Sequence, residues 1–159
     1  MEEIEIIFSS LSEKLKKAIR DEKTVEISFI EGNVYVVEDD YLVMNRLVVR
    51  IDDKKVFDRQ EEIGYERINE INNRATFLWK LYGKLMDEIY DYCFDLAVKE
   101  AKKHSFSRNH IKGVNCGFIL FMKDNSKCIA TFCEDREEHE GVTHMYYTKF
   151  YKPEVFMLT

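Results

Sequence analysis

The spacing of hydrophobic positions changes several times along the chain, and each change predicts an element. Over Glu3–Phe8, Ile4 and Ile6 alternate with Glu3 and Glu5, a period of two that predicts a short strand. Ser10-Leu-Ser-Glu13 then has the Ser-x-x-Glu spacing of a helix start. A helix is expected from there to about Asp21. Leu11, Leu15, Ala18 and Ile19 form its apolar stripe, and Lys14, Lys16, Lys17 and Arg20 its wet side.

From Thr24 to Phe57 the period returns to two. Val25, Ile27 and Phe29 precede Glu31-Gly32-Asn33, Val34 and Val36 precede Asp39-Asp40, and Leu42–Ile51 follows. β-Branched residues between closely spaced turn residues predict an antiparallel meander of three to five short strands. Ile63, Arg67, Ile68 and Ile71 then suggest a short helix, and Ala75–His104 a long one. In the long helix Leu78, Tyr82, Leu85, Ile89, Tyr92 and Leu96 recur near helical spacing. Lys99, Lys102, Lys103 and His104 place positive charge at its carboxyl end, where the helix dipole favours it.

Beyond a polar loop, Ser105–Lys112, strands are expected at Val114–Lys123, Lys127–Cys133 and Val142–Tyr151. Asp124-Asn125-Ser126 forms the first turn between them and an acidic loop, up to Gly141, the second. Pro153 interrupts the last run before a final short strand, Val155–Leu158. No repeat and no Pro/Gly/Ser-rich linker divides the chain. The preferred architecture is therefore one α+β domain over residues 1–159, with two small lobes as the alternative: an N-terminal antiparallel β meander, a central long helix and C-terminal antiparallel strands.

Composition supports a packed core, with 45% hydrophobic and 13% aromatic residues and a single proline. The net charge of −6 repels a phosphate backbone, so direct nucleic-acid binding is disfavoured and a basic protein partner is favoured. The Met1 end opens Glu-Glu-Ile-Glu without a basic or long apolar leader, and no apolar run approaches the roughly 20 residues that span a bilayer. A cytoplasmic protein without a membrane span is expected, with Cys93, Cys116, Cys128 and Cys133 reduced.

Six isolated glycines form neither a phosphate-binding loop nor a dinucleotide fingerprint. Cys128-x4-Cys133-x5-His139-x4-His144 has zinc-like spacing. Two cysteines five residues apart on a strand should nevertheless point to opposite faces, so no metal or cofactor is expected. His104, Arg108 and His110 offer a base and an anion contact for a small hydrolase or nuclease, set against the plainer reading of a basic helix end. Lys99, Lys102, Lys103, Arg108 and Lys112 around Phe106 give a modest nucleic-acid footprint.

Asp87, Asp91 and Asp95, joined by Glu88, make an i, i+4, i+8 acidic stripe. Helical carboxylates can bind a divalent metal, but no histidine or Glu-x-x-His element accompanies them, so a solvated helix face is the plainer reading and a docking face a third. The densest acidic segment is Glu134-Asp135-Arg136-Glu137-Glu138-His139-Glu140. Tyr146, Tyr147, Phe150 and Tyr151 follow it, and aromatic anchors beside a charged rim are a common interface composition. The residues expected to bind a partner are Asp87, Asp91, Asp95, Glu134, Asp135, Glu137, Glu138, Glu140 and Tyr147. No catalytic residue is assigned. The leading expectation is a non-enzymatic inhibitor of a basic, nucleic-acid-processing enzyme, and the alternative is a small enzyme using His104 or His110.

In length, acidity, Lys/Glu/Ile/Asn/Tyr-rich composition and lack of motifs, the chain resembles small phage-encoded counter-defence proteins, including anti-CRISPR proteins. The features that carry the likeness are Glu134–Glu140, the Asp87/Asp91/Asp95 stripe and Glu38-Asp39-Asp40. Such proteins share no common fold, so the resemblance transfers no residue role. It implies inhibition of a CRISPR effector nuclease by direct binding, either blocking its nucleic-acid channel or holding a catalytic domain inactive. A toxin-neutralising immunity protein has the same general character.

Overall fold

The computed structural model describes residues 2–37, 40–65, 76–115 and 117–158. In chain order the elements are α1 (Glu3–Arg20), β1 (Val25–Val37), β2 (Asp40–Ile51), β3 (Lys54–Tyr65) and α2 (Phe77–Lys102). A 3-10 turn (Arg108–His110) follows, then β4 (Ile111–Asn115), β5 (Phe118–Lys123), β6 (Ser126–Glu140) and β7 (Thr143–Leu158). The strands form one antiparallel sheet, ordered β3-β2-β1-β7-β6-β5-β4. The α+β class, the N-terminal meander, the long helix and the C-terminal strands are as expected.

Both helices lie on one face of the sheet. Leu11, Leu15 and Ile19 of α1 and Leu81, Leu85, Ile89 and Cys93 of α2 are buried with Ile27, Phe29, Leu47, Phe121, Phe132 and Phe150 of the strands. Phe29 stacks on Tyr82 at 4.9 Å and meets Trp79 edge-on at 5.1 Å; Phe132 meets Tyr90 edge-on at 5.1 Å. The start of α2 is tied down by polar groups. Thr76 Oγ1 accepts from the Trp79 N–H, and a Glu61 carboxylate oxygen accepts from the Leu78 N–H. Glu61 thus supplies from β3 the negative charge that the first turn of α2 lacks. Among the described residues no helix is long and apolar enough to cross a membrane.

Several expected boundaries move. Glu3–Phe8 is helix rather than strand, because Ile4, Ile7, Phe8, Leu11 and Leu15 make one stripe of helical period. Ile6, which created the alternation, is the exposed member. Ser10–Glu13 therefore lies inside α1. Glu31-Gly32-Asn33 stays within β1, where a register slip between Gly32 and Tyr35 absorbs it. A tight turn at Asp52-Asp53, both with positive φ, joins β2 to β3. Ile63 belongs to β3, and Arg67, Ile68 and Ile71 lie outside the described residues. Val114–Lys123 divides at Gly117, whose φ is +77°. Pro153 does not end β7. It sits where the β6–β7 register shifts between Thr131 and Cys133.

Candidate functional site

The acidic segment is strand, not loop: Glu134–Glu140 is the distal half of β6, paired with β7 up to a turn at Gly141-Val142. The first part of β6, residues 126–131, also pairs with β5, but among the described residues its distal half has β7 alone beside it. It therefore forms an edge, and dense charge on an edge opposes strand addition by other chains. Alternation divides its side chains. Asp135 and Glu137 share the helix-bearing face with Thr148 and Tyr146, whereas Glu134, Arg136, Glu138 and Glu140 share the open face with Lys149, Tyr147, Met145 and Thr143. The expected partner-binding residues consequently do not make one surface.

On the open face several charges are paired, although Glu134 and Glu140 form no ion pair among the described residues. Glu26 pairs with Arg50 at 3.6 Å, Arg136 with Glu138 at 3.5 Å, and Glu134 lies opposite Lys149. Arg46 grips Asp58 through two nitrogens at 2.9 and 2.7 Å, and with Lys55 holds that carboxyl well below the usual carboxylate range. The Arg136 guanidinium lies 4.3 Å over the ring of Tyr147. Towards β5 the same face turns apolar, with Leu120 and Ile129 half-buried beside Phe156, which is 51% exposed.

The helix-bearing side has a different balance. Asp87, Asp91 and Asp95 are exposed along the outward side of α2, as their spacing predicts. Asp95 is engaged by Arg108, and the neighbouring Glu88 by Lys16. Among the described residues no lysine or arginine pairs with Asp87, Asp91, Asp135 or Glu137. Asp135 accepts from Thr148 Oγ1 at 2.8 Å, and Glu137 lies 3.3 Å from the His144 Nε2. Between β6, β7 and α2 runs a cleft of about 200 Å³ lined by Tyr82, Met86, Asp135, Glu137, Tyr146 and Thr148, with Arg136 and Tyr147 also contributing to its wall. Burial raises the Tyr82 hydroxyl to about 12, and the charges of Asp135, Glu137 and Glu31 push it the same way. Arg136 turns its guanidinium away to Tyr147 and Glu138 of the open face, so the Tyr82 and Tyr146 rings beside Asp135 and Glu137 suit the side chain of a lysine or arginine.

The zinc-like spacing resolves differently from its expectation. A bulge at Phe132-Cys133, where both N–H groups face the Gly117 carbonyl at 2.8 and 3.4 Å, resets the alternation. Cys128 and Cys133 therefore share the helix-bearing face and are both buried, so the parity argument against them fails. Their burial places them in the core, with Cys93. The histidines gather elsewhere. His139 and His144 lie opposite each other at the tip of the β6–β7 hairpin, beside Glu137. Cys116, Glu38 and Asp39 lie outside the described residues.

In the basic segment, the Nδ1 of His110 accepts from the Ser107 N–H at 2.9 Å and so closes the 3-10 turn; His104 is exposed. Phe106, the residue suited to base stacking, is 2% exposed and packs on Phe121 in the core. That burial removes the aromatic platform from the nucleic-acid reading.

No family model matches the chain, and no curated protein or solved structure matches it. The site is read from its own residues.

Proposed function

We propose that this protein is a non-enzymatic inhibitor that docks on a basic, nucleic-acid-processing enzyme through the helix-bearing side of its sheet. A CRISPR effector nuclease is the target we favour. Asp87 and Asp91 on α2, with Asp135 and Glu137 on β6, form the acidic surface, and the Tyr82/Tyr146 cleft receives a lysine or arginine of the partner. The observation that carries this reading is the set of carboxylates on the helix-bearing side. Asp87, Asp91, Asp135 and Glu137 have no lysine or arginine ion-pair partner among the described residues, and Asp135 and Glu137 line the Tyr82/Tyr146 cleft. Uncompensated carboxylates complement a positively charged nucleic-acid channel and penalise acidic partners.

The test is titration of purified CRISPR effector ribonucleoproteins with the protein, read by complex formation and by target cleavage. A stoichiometric complex that suppresses cleavage is expected. Asp87→Lys with Asp91→Lys should weaken it more than about tenfold, the scale of losing charge pairs at an interface. A tight complex indifferent to that double reversal would overturn the acidic-surface mechanism and move the contact to the apolar Leu120/Ile129/Phe156 patch. Absence of any complex or inhibition would reject this class of target.

A further inference from the structure

We propose that Glu137, His139 and His144 bind one divalent transition-metal ion, zinc above all, at the tip of the β6–β7 hairpin. The ligand set follows from the register. His139 and His144 are direct cross-strand partners, and Glu137 lies two residues before His139, so all three project to the helix-bearing face. Gly141, with φ +60° at the first position of a two-residue turn, closes the hairpin that fixes this pairing. The ligands therefore stand on paired strands rather than on a loose loop, which keeps the cost of ordering them low.

The distances suit an ion. One potential ligand atom from each of the three residues lies within 4.8 Å of the others. A tetrahedral centre with bonds of roughly 2.0–2.1 Å holds its donors about 3.3 Å apart. Small side-chain rotations bridge that difference, because Glu137 and His139 are exposed and free to turn. The two imidazole rings already stack, with centroids 3.9 Å apart, and the His144 Nε2 lies 3.3 Å from a Glu137 oxygen.

Chemistry selects the class of ion. Two imidazoles and one carboxylate match zinc and its first-row neighbours, whereas calcium and magnesium demand an oxygen cage. The surroundings favour a cation. Glu31 lies opposite His144 in the β1–β7 register, and no lysine or arginine pairs with Glu137 among the described residues. Burial of Cys128 and Cys133 leaves the thiols out of this ligand set. The site shares Glu137 with the docking surface but not Asp87 or Asp91, so zinc titration with the histidine variants and docking with the Asp87/Asp91 reversal decide the two proposals separately.

The experiment uses the full chain, stripped with a chelator and titrated with zinc chloride against a chromophoric competitor. One ion per chain at micromolar affinity or better is expected. His139→Ala and His144→Ala should each weaken it by at least about tenfold, since loss of even an outer-shell partner commonly costs that much. Cys128→Ser should change nothing. Cobalt in place of zinc should give visible ligand-field bands without a thiolate charge-transfer band. The thermal midpoint of the wild type should rise with zinc, while the histidine variants melt like the metal-free wild type with or without it. Absence of saturable binding below millimolar zinc, wild-type affinity in both histidine variants, or a thiolate band with cobalt would each overturn the proposal.

Discussion

Single residues in the core answer to burial and to local backbone shape. Cys93 is fully buried, and desolvation pushes its thiol up to about 12 from an ordinary value near 9. Both folded and unfolded chains hold this proton below about pH 9, so the thiol is neutral to stability there. Above it the unfolded chain ionises first, and stability is lost progressively towards pH 12. Denaturation midpoints should therefore fall between about pH 8 and about pH 10.5, and less steeply in Cys93→Ala. Tyr82, likewise raised to about 12, adds to the fall at its upper end. Gly117 obeys a steric rule instead. Its φ is +77°, and a Cβ there would lie 1.9 Å from the Cys133 carbonyl oxygen. Gly117→Ala should cost at least the ~1–3 kcal/mol of a forced left-handed residue, measurable by urea unfolding.

Elements depend on which of their faces the sheet covers. The stripe of α2 runs through Leu85 and Ile89, both fully buried between α1 and the strands. Truncating either to alanine should destabilise by about 2–5 kcal/mol in a denaturant melt; a loss within about 0.5 kcal/mol would place the residue on the surface. The amino end of α2 adds a separate term. Thr76→Ala removes the acceptor for the Trp79 N–H and the partner of Asn45 Nδ2, and should cost about 1 kcal/mol. The β6–β7 hairpin shows the same principle in a strand. Its proximal half is buried and apolar, and its distal half is an exposed edge kept in register by pairing with β7.

At the scale of the molecule, the two sides of the sheet differ. The open face carries the Glu26–Arg50 and Arg136–Glu138 pairs and turns apolar at its β5 end; the helix-bearing side keeps Asp87, Asp91, Asp135 and Glu137 without lysine or arginine partners among the described residues. Long-range attraction accelerates encounter, and salt screens it beyond about 10 Å at 0.1 M. Stopped-flow association with the partner should therefore slow as salt rises. Asp87→Lys with Asp91→Lys should flatten that dependence, while Glu134→Lys with Glu138→Lys on the open face should leave it nearly intact.

Periodicity alone determined the α+β class, the long helix with its buried and acidic faces, and the two groups of antiparallel strands. Those features rest on local spacing that a single window of sequence contains. It misassigned Glu3–Phe8 because Ile4 and Ile6 satisfy a period of two while Ile4, Ile7, Phe8 and Leu11 satisfy a helical one, and only packing against α2 and the sheet decides between them. It read Glu134–Glu140 as a loop because charge and strand length conflict there, and pairing with β7 overrode the charge. The candidate site was legible only in part. Asp87, Asp91, Asp135 and Glu137 were all singled out, but their separation from Glu134, Glu138 and Glu140 depends on the face each takes. The bulge at Cys133 resets that alternation, and the register then brings His139 to His144 beside Glu137. These are long-range geometric facts, set by which strand lies beside which, and no local pattern encodes them.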